Sequence, residues 1–392
     1  MDQRKALGVL FLTVFIDLLG FGIIIPLLPF YAERFGAPAY QVTLLMAIYS
    51  LFQFLTAPLW GRLSDRLGRR PILLLSLLGL GASYVWFGLA TSLWMLFVVR
   101  ALAGAMAGNI AAAQAYIADV TTPENRARGM GLIGAAFGLG FVIGPALGGI
   151  LAGSDPVQLN VQLPAFTAAG LSFLALALAL GFLPESLTPQ LRQQPRQRVG
   201  RLAQLTQTLR QPQLAGLFWL FFLQTFAFAG MEATFALWSE RRWSWGPQQN
   251  GYLFAYVGVL GAFIQGGGIG LLSKRFGERR LLRQGAVCLT IGFLVMLAVR
   301  DVPLLVVAVT WMAYGLSVMT PSLNSLVSQR AAPDQQGITL GMNQSAASLA
   351  RILGPAWAGA GFSLLGIDWP FWSGAAVMLG ALALIHRRLN TT

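Results

Sequence analysis

Residues Gly61–Leu73 read GRLSDRLGRRPIL. One acid, Asp65, and four arginines, Arg62, Arg66, Arg69 and Arg70, stand here between two long apolar runs. Nothing from Leu44 to Trp60 is charged, and nothing from Pro71 to Val99. About 20 apolar residues cross a bilayer as a helix, and short loops rich in Lys and Arg stay on the cytoplasmic side. The stretch therefore reads as a short cytoplasmic turn between two membrane spans, and it fixes the orientation of every other segment.

The composition agrees. The chain of 392 residues is 56% hydrophobic and 10% charged, where a soluble domain carries about 25% charged residues. It reads as an integral membrane protein. Helix is the expected form, because barrel strands alternate and would not give continuous apolar runs. The net charge of +13 sits in the loops, where topology explains it, so nucleic acid is not expected as a partner. A single cysteine, Cys288, and a single histidine, His386, leave no disulfide and no Cys/His/carboxylate cluster for a metal. No cofactor is implied. The N-terminal apolar run resembles a signal peptide, but Asp17 within it and its length argue for a retained first helix.

Twelve spans are expected, near 6–30, 41–60, 71–91, 94–118, 129–152, 163–183, 213–238, 249–272, 281–299, 302–325, 336–361 and 369–386. An even number puts both termini on one side. The termini and even-numbered loops hold Arg4, Lys5, the four arginines of the opening stretch, Arg126, Arg128, the arginines of 192–210, Lys274, Arg275, Arg279, Arg280, Arg283, Arg330, Arg387 and Arg388. The opposite loops hold only Arg34, Arg241, Arg242 and Arg300. Both termini are therefore expected in the cytoplasm.

One long stretch, rich in Gln, Arg and Pro, interrupts the apolar pattern from Pro184 to Pro212. It divides the chain into a six-helix half (1–184), a cytoplasmic linker (185–212), with 200–210 a candidate amphipathic surface helix, and a second six-helix half (213–392). The halves repeat. Pro123-Glu124 and Gly144-Pro145 return as Pro333-Asp334 and Gly354-Pro355, 210 residues on. Ser64–Gly68 has a worn copy at Ser273–Gly277. Two like halves of six spans, in the same orientation, are the parallel-repeat plan of a secondary transporter, with its substrate site near the midplane.

At this point the chain resembles the major facilitator superfamily, and within it the twelve-spanning drug:proton antiporters, including the tetracycline-efflux-like group. GRLSDRLGRR at 61–70 is similar to the family's loop between spans 2 and 3. LGFGIIIPLLP at 19–29 resembles the first span of the drug exporters, and Arg100-x3-Gly104-x3-Gly108 their span-4 motif. The run from Gly140 through Gly144, Pro145, Gly148 and Gly149 resembles the span-5 motif of antiporters. The resemblance implies three roles. Gly61, Asp65, Arg66, Gly68, Arg69 and Arg70 would form a latch for the conformational cycle. Arg100 would serve proton coupling, and the span-5 motif would favour antiport over symport. The chain departs from the tetracycline exporters at the pocket. A histidine in span 8 and acids in spans 3 and 9 are replaced by Gly261, Ser83-Tyr84 and Leu289, while Gln265 matches.

The residues carry their own argument. Asp17 lies about 11 residues into span 1, where a charge costs about 2.5–3.5 kcal/mol. Its neutral form is favoured there, so it can load and unload a proton; the alternative is a structural acid paired with a buried base. Glu232, in span 7, can meet a cationic substrate or a proton, or reach the outer interface. Arg100 needs a partner or water at its depth, and Asp17 is one candidate. Arg351, in span 11, can bind an anionic group or simply pair across the bundle. Asp65 is expected to face the positive end of a helix from the other half, such as span 11, and Asp119 to pair with Arg69 or Arg70. The glycines of span 5 serve close helix packing. Gln53, Asn109, Gln114, Gln224, Gln265, Asn324, Asn343 and Gln344 are candidates for a polar cavity lining, although most such residues pack against neighbours or lipid.

The expectation is a monomeric, all-α, twelve-helix transporter of the inner or plasma membrane that is not an enzyme. It would export small amphipathic compounds in exchange for protons. Two alternatives stay open, a lipid or lipid-linked-sugar translocase and a nutrient symporter or facilitator.

Overall fold

The computed structural model describes residues 3–107, 109–121, 123–187, 212–330 and 336–389. The opening stretch is not a turn. Helix α3 (Ala39–Leu67) runs beyond the expected end of span 2 and takes in Gly61 through Leu67. Only Gly68 breaks it, at φ +116°, and helix α4 (Arg69–Gly88) begins at the next residue. The physical reason is local. GRLSDRL holds no proline, and the glycine after it closes the helix as glycine does in the left-handed half of backbone space.

Two compact units divide the chain, one made of 1–195 with 239–256, the other of 196–238 with 257–392. In the first unit, helix α1 (Gln3–Ile24) is 22 residues long, about 33 Å at 1.5 Å per residue, enough for the hydrocarbon core. The expected span 1 is interrupted after it. Pro26 lies in the break, and a short helix α2 (Leu28–Glu33) follows with Pro29 in its first turn. The expected span 4 is likewise two pieces, α5 (Leu93–Met106) and α6 (Asn109–Val120). Helix α7 (Pro123–Ala152) starts on a proline, which suits a first helical position. Helix α8 (Gln162–Phe182) completes the set. Helix α1 packs on α7 and α8, α4 on α8, and α3 on α5. Leu10, Val14, Ile72, Leu73, Leu77, Ala112 and Tyr116 are buried together in the core.

Helix α9 (Pro212–Trp243) contributes its first part to the second unit and its end to the first. Helix α10 (Pro247–Phe263) does the reverse. The expected span 8 then holds a π-helical turn, Ile264–Gly268, before α11 (Ile269–Phe276); three consecutive glycines there weaken the ordinary helical register. Helices α12 (Glu278–Ala298), α13 (Val302–Arg330), α14 (Gln336–Leu365) and α15 (Trp369–Leu389) follow, with α12 packed on α13 and α15. The linker, including its candidate surface helix, lies almost wholly outside the described residues, as do Pro333 and Asp334.

The repeat is structural as well as sequential. Gly277, at φ +74°, separates α11 from α12 as Gly68 separates α3 from α4. Helices α1 and α7 approach so closely that a Cβ on Gly144 would lie 2.7 Å from Gly22 Cα. A Cβ on the corresponding Gly354 of α14 would lie 2.6 Å from the carbonyl oxygen of Phe226 on α9, and one on Gly230 would lie 3.0 Å from that of Gly354. Each unit thus has its own glycine-lined helix crossing.

Among the described residues, 10 helices are long and apolar enough to cross a membrane. Large apolar side chains face outward, with Leu55 55%, Phe263 76% and Leu364 82% exposed. Water would penalise such a surface and lipid does not. The chain is a multi-pass membrane protein.

Candidate functional site

The arginines of the opening stretch have different fates. Arg69 is 1% exposed, and a charge buried so far must be paired. Its Nε donates to Asp119 Oδ2 at 3.0 Å, and its Nη1 to Asp65 Oδ1 at 2.5 Å and Ser64 Oγ at 2.8 Å. The Asp119 side chain is 9% exposed and that of Asp65 40%, so Asp119 is the more sheltered partner. Ser186 donates to the same Asp119 oxygen at 3.1 Å. Arg66 is exposed, Arg62 donates back to Pro58 O at 3.3 Å, and Arg70 Nη2 donates to Leu180 O at 2.6 Å. Gly61 has open space where a side chain would be.

The sequence reading missed Glu185. Its carboxylate accepts the backbone N–H of Arg69 at 2.9 Å and of Arg70 at 3.2 Å, which satisfies the first donors of α4. The carboxylate at the N-terminus of α4 is thus that of Glu185, the first residue of the expected linker. Gly68 has no room for a side chain because Glu185 fills that space. The available signal was a lone acid, at Pro184-Glu185, where an apolar span meets an arginine-rich linker.

Deeper in the same unit, four groups come together. Asp17 is 6% exposed, Arg100 5%, Tyr84 3% and Tyr49 8%. The Arg100 guanidinium lies 4.4 Å from the centre of the Tyr49 ring and 5.9 Å from that of Phe21, within cation–π range, and its Nε donates to Leu45 O at 3.3 Å. Tyr84 interacts electrostatically with Asp17, Tyr49 and Arg100 alike. Its ring lies 3.1 Å from where a Cβ on Gly20 would be, one turn from Asp17. A close approach of Gly104 to the backbone of Tyr49 brings α5 and α3 together there. Arg100 thus rests on aromatic faces, and Tyr84 is close enough to feel the charge of both Asp17 and Arg100. The sequence reading placed Tyr84 only as the missing acid of span 3. The arrangement places an acid and a base in one buried pocket with two phenols.

The glycines of span 5 pack as their type requires. Gly140, Gly144 and Gly148 lie against Leu18, Gly22 and Ile23 of α1, and Gly149 against Pro247. Pro145 is inside α7.

In the second unit, Glu232 on α9 and Arg351 on α14 interact electrostatically. They flank the Gly230–Gly354 crossing, and both keep part of their surface accessible. Gln224 Nε2 donates to Thr320 Oγ1 at 2.5 Å, and Asn343 Nδ2 to Asn324 Oδ1 at 2.8 Å. Of the remaining candidates, Gln53 donates to Ala107 O at 3.3 Å, Gln114 is exposed, and Gln265 is exposed on the π-helical turn. The Asn109 side chain lies outside the described residues. Among the described residues, no group of three or more His, Cys, Asp or Glu is placed to hold a metal ion.

The chain is similar to known proteins along its length. The Major Facilitator Superfamily model matches residues 10–269 and 268–391. The chain is 32% identical to the class C tetracycline resistance protein of Escherichia coli, over 97% of this chain and 95% of that protein. It is 30% identical to multidrug resistance protein 2 of Bacillus subtilis (strain 168), over 98% and 95%. Among solved structures it is similar to the human organic anion transporter MFSD10 (TETRAN), with TM-score 0.74, 28% identity and coverage of 98% and 100%. A bacterial homolog of the human lysosomal transporter Spinster, inward-facing and occupied, shares the fold at TM-score 0.83 and 16% identity, over 98% and 96%. The family model and these relatives show that the chain belongs to the Major Facilitator Superfamily, whose members are membrane transporters and not enzymes.

Proposed function

We propose that the protein exports small amphipathic compounds in exchange for protons. It is a monomer of twelve spans in the inner or plasma membrane, with both termini in the cytoplasm. It consists of six-helix halves 1–184 and 213–392 joined by the linker 185–212, and it works by alternating access. Efflux is supported by the tetracycline and multidrug resistance relatives. The observation that carries the exchange mechanism is the buried cluster of Asp17, Tyr84, Tyr49 and Arg100. An acid this far from water is costly when charged. It takes a proton from one side, and it gives the proton up only when that charge is compensated, by Arg100 through the phenols. Substrate and proton are then exchanged if each disfavours the other, which is a coupling free energy between two ligands.

Glu232 and Arg351 present one charge of each sign to a substrate in the second unit, and Gln224, Asn324 and Asn343 are further candidates for its polar lining. Gln53, Asn109, Gln114 and Gln265 complete the candidate lining. Asp65, Arg66, Arg69, Arg70 and Asp119, with Glu185, form the cytoplasmic latch between conformations. A second reading, export of organic anions on Arg351, is favoured by the likeness to the human organic anion transporter.

Everted vesicles energised by respiration test the reading. Cationic, neutral and anionic compounds are added while a pH-gradient dye is followed. Some compounds collapse the gradient with the wild type and none with Asp17→Asn. A response confined to anions and lost in Arg351→Ala selects the second reading. A wild type that answers to no compound, with Asp17→Asn indistinguishable from it, contradicts proton exchange.

A further inference from the structure

Two buried carboxamides in the second unit are only half used. Gln224 on α9 and Asn343 on α14 are each 2% exposed. Gln224 Nε2 donates to Thr320 Oγ1 at 2.5 Å, and Asn343 Nδ2 donates to Asn324 Oδ1 at 2.8 Å. The other end of each amide, Gln224 Oε1 and Asn343 Oδ1, is buried and accepts no hydrogen bond from the described residues. A buried acceptor without a donor is costly, and buried polar atoms in proteins almost always have a partner.

The four side chains form one group. Thr320 and Asn324 stand one turn apart on α13, about 6 Å along the same face. They draw Gln224 to that face from α9 and Asn343 from α14. Packing alone does not demand this. The residue 210 positions before Asn343, in the corresponding helix of the repeat, is Ile133, which lies in the apolar core of the first unit. Hydrocarbon at this helix position satisfies the fold and leaves no acceptor unpaired. None of the four side chains is ionisable, so the group offers lone pairs and no net charge. Its match is an uncharged N–H donor, because a charge buried there without a counter-charge is far more costly.

We propose that Gln224 Oε1 and Asn343 Oδ1 accept hydrogen bonds from the transported compound, and that this subsite selects uncharged amphipathic molecules bearing N–H groups, such as primary carboxamides. The inference rests on the export reading above and names the chemistry that one part of its site recognises. Thr320 keeps part of its surface and Asn324 is exposed, so the group has an open, polar side along α13. A compound whose donors fill both acceptors is held, and one without donors leaves them unpaired, which is how a buried polar site rejects a close analogue.

The test is equilibrium dialysis of two probes against the full chain in lipid nanodiscs, corrected for uptake by empty nanodiscs. The probes are 2-naphthaleneacetamide and methyl 2-naphthaleneacetate, alike in ring and carbonyl, of which only the amide has N–H groups. The wild type should hold the amide about 5–100-fold more tightly than the ester. Gln224→Met and Asn343→Ile, the second copying the first unit, should bring that ratio close to one. In Asn343→Ile the exposed Asn324 takes water in place of its lost donor. Equal binding of the two probes by the wild type, binding of neither, or a preference that survives in both variants overturns the subsite. A resident water that already fills both acceptors gives the equal-binding result. The wild-type ratio decides the matter even where a variant does not fold. The assay uses neither a proton gradient nor transport. An amide preference beside vesicles that show no proton exchange overturns the exchange reading alone, and equal binding beside intact exchange overturns the subsite alone.

Discussion

Replacing Gly144 by Ala adds one methyl group at the α1–α7 crossing. That methyl would stand 2.7 Å from Gly22 Cα, 2.9 Å from Gly22 C and 3.0 Å from Leu19 O. Comfortable contacts between carbon atoms begin at about 3.5 Å, so the crossing must open by about 0.8 Å. All three neighbours are backbone, and no side-chain rotation can make the room. Overpacking of this kind costs about 1–3 kcal/mol, and the better helix propensity of Ala returns about 1 kcal/mol. The net loss against the wild type is about 0–2 kcal/mol, up to roughly 8 °C in apparent melting temperature for a unit of this size, and against glycine-to-alanine controls in open space it is the full overpacking cost of about 1–3 kcal/mol. The assay is thermal unfolding in detergent, followed by loss of the monodisperse peak. Gly134→Ala and Gly138→Ala are the controls, because on the same helix their added methyls meet nothing within 4 Å. They should match or exceed the wild type. A Gly144→Ala protein as stable as the Gly134→Ala and Gly138→Ala controls would refute the crossing geometry. Gly354→Ala should fall as Gly144→Ala does, since its methyl meets the Phe226 carbonyl at 2.6 Å.

Glu185→Ala leaves the first N–H groups of α4 without their acceptor and should cost about 0.5–2 kcal/mol, the usual worth of a helix cap; unchanged thermal stability would remove Glu185 from the latch. Tyr84→Phe keeps the ring against Gly20 and removes only the hydroxyl. It should weaken substrate-driven proton release while leaving stability close to wild type, because the charged carboxylate loses a polar neighbour. A lowered melting temperature with unchanged proton release would make Tyr84 a packing residue only.

Membrane class and internal repeat were legible because both are written in composition and spacing. Twenty apolar residues have few fates, and Gly144-Pro145 with Gly354-Pro355 marks two copies of one helix crossing. What the sequence hid was local. The helix through Gly61–Leu67 looked like a loop because charge was read as a turn, yet charge does not break a helix and Gly68 does. The breaks after Ile24 and at Ala107 were hidden because apolar runs continue across them. Asp65, Arg69 and Asp119 were visible as charges near one loop. Glu185 was not, since it lies 116 residues from Arg69 and only the fold brings them together. Tyr84 was overlooked because a phenol in an apolar helix reads as an ordinary aromatic, and its nearness to Asp17 depends on which face of α4 meets α1.

The central claim is that proton movement and substrate movement are one process through Asp17. Its most direct test uses purified protein in proteoliposomes with no imposed pH gradient. A gradient of a compound that answered in the vesicle panel is applied, and the internal pH is followed with a trapped dye. The account predicts that substrate flowing down its gradient drives protons the opposite way in the wild type. Asp17→Asn should bind the compound and move no protons. Substrate flux with no proton movement in the wild type, or equal proton movement in Asp17→Asn, would contradict it.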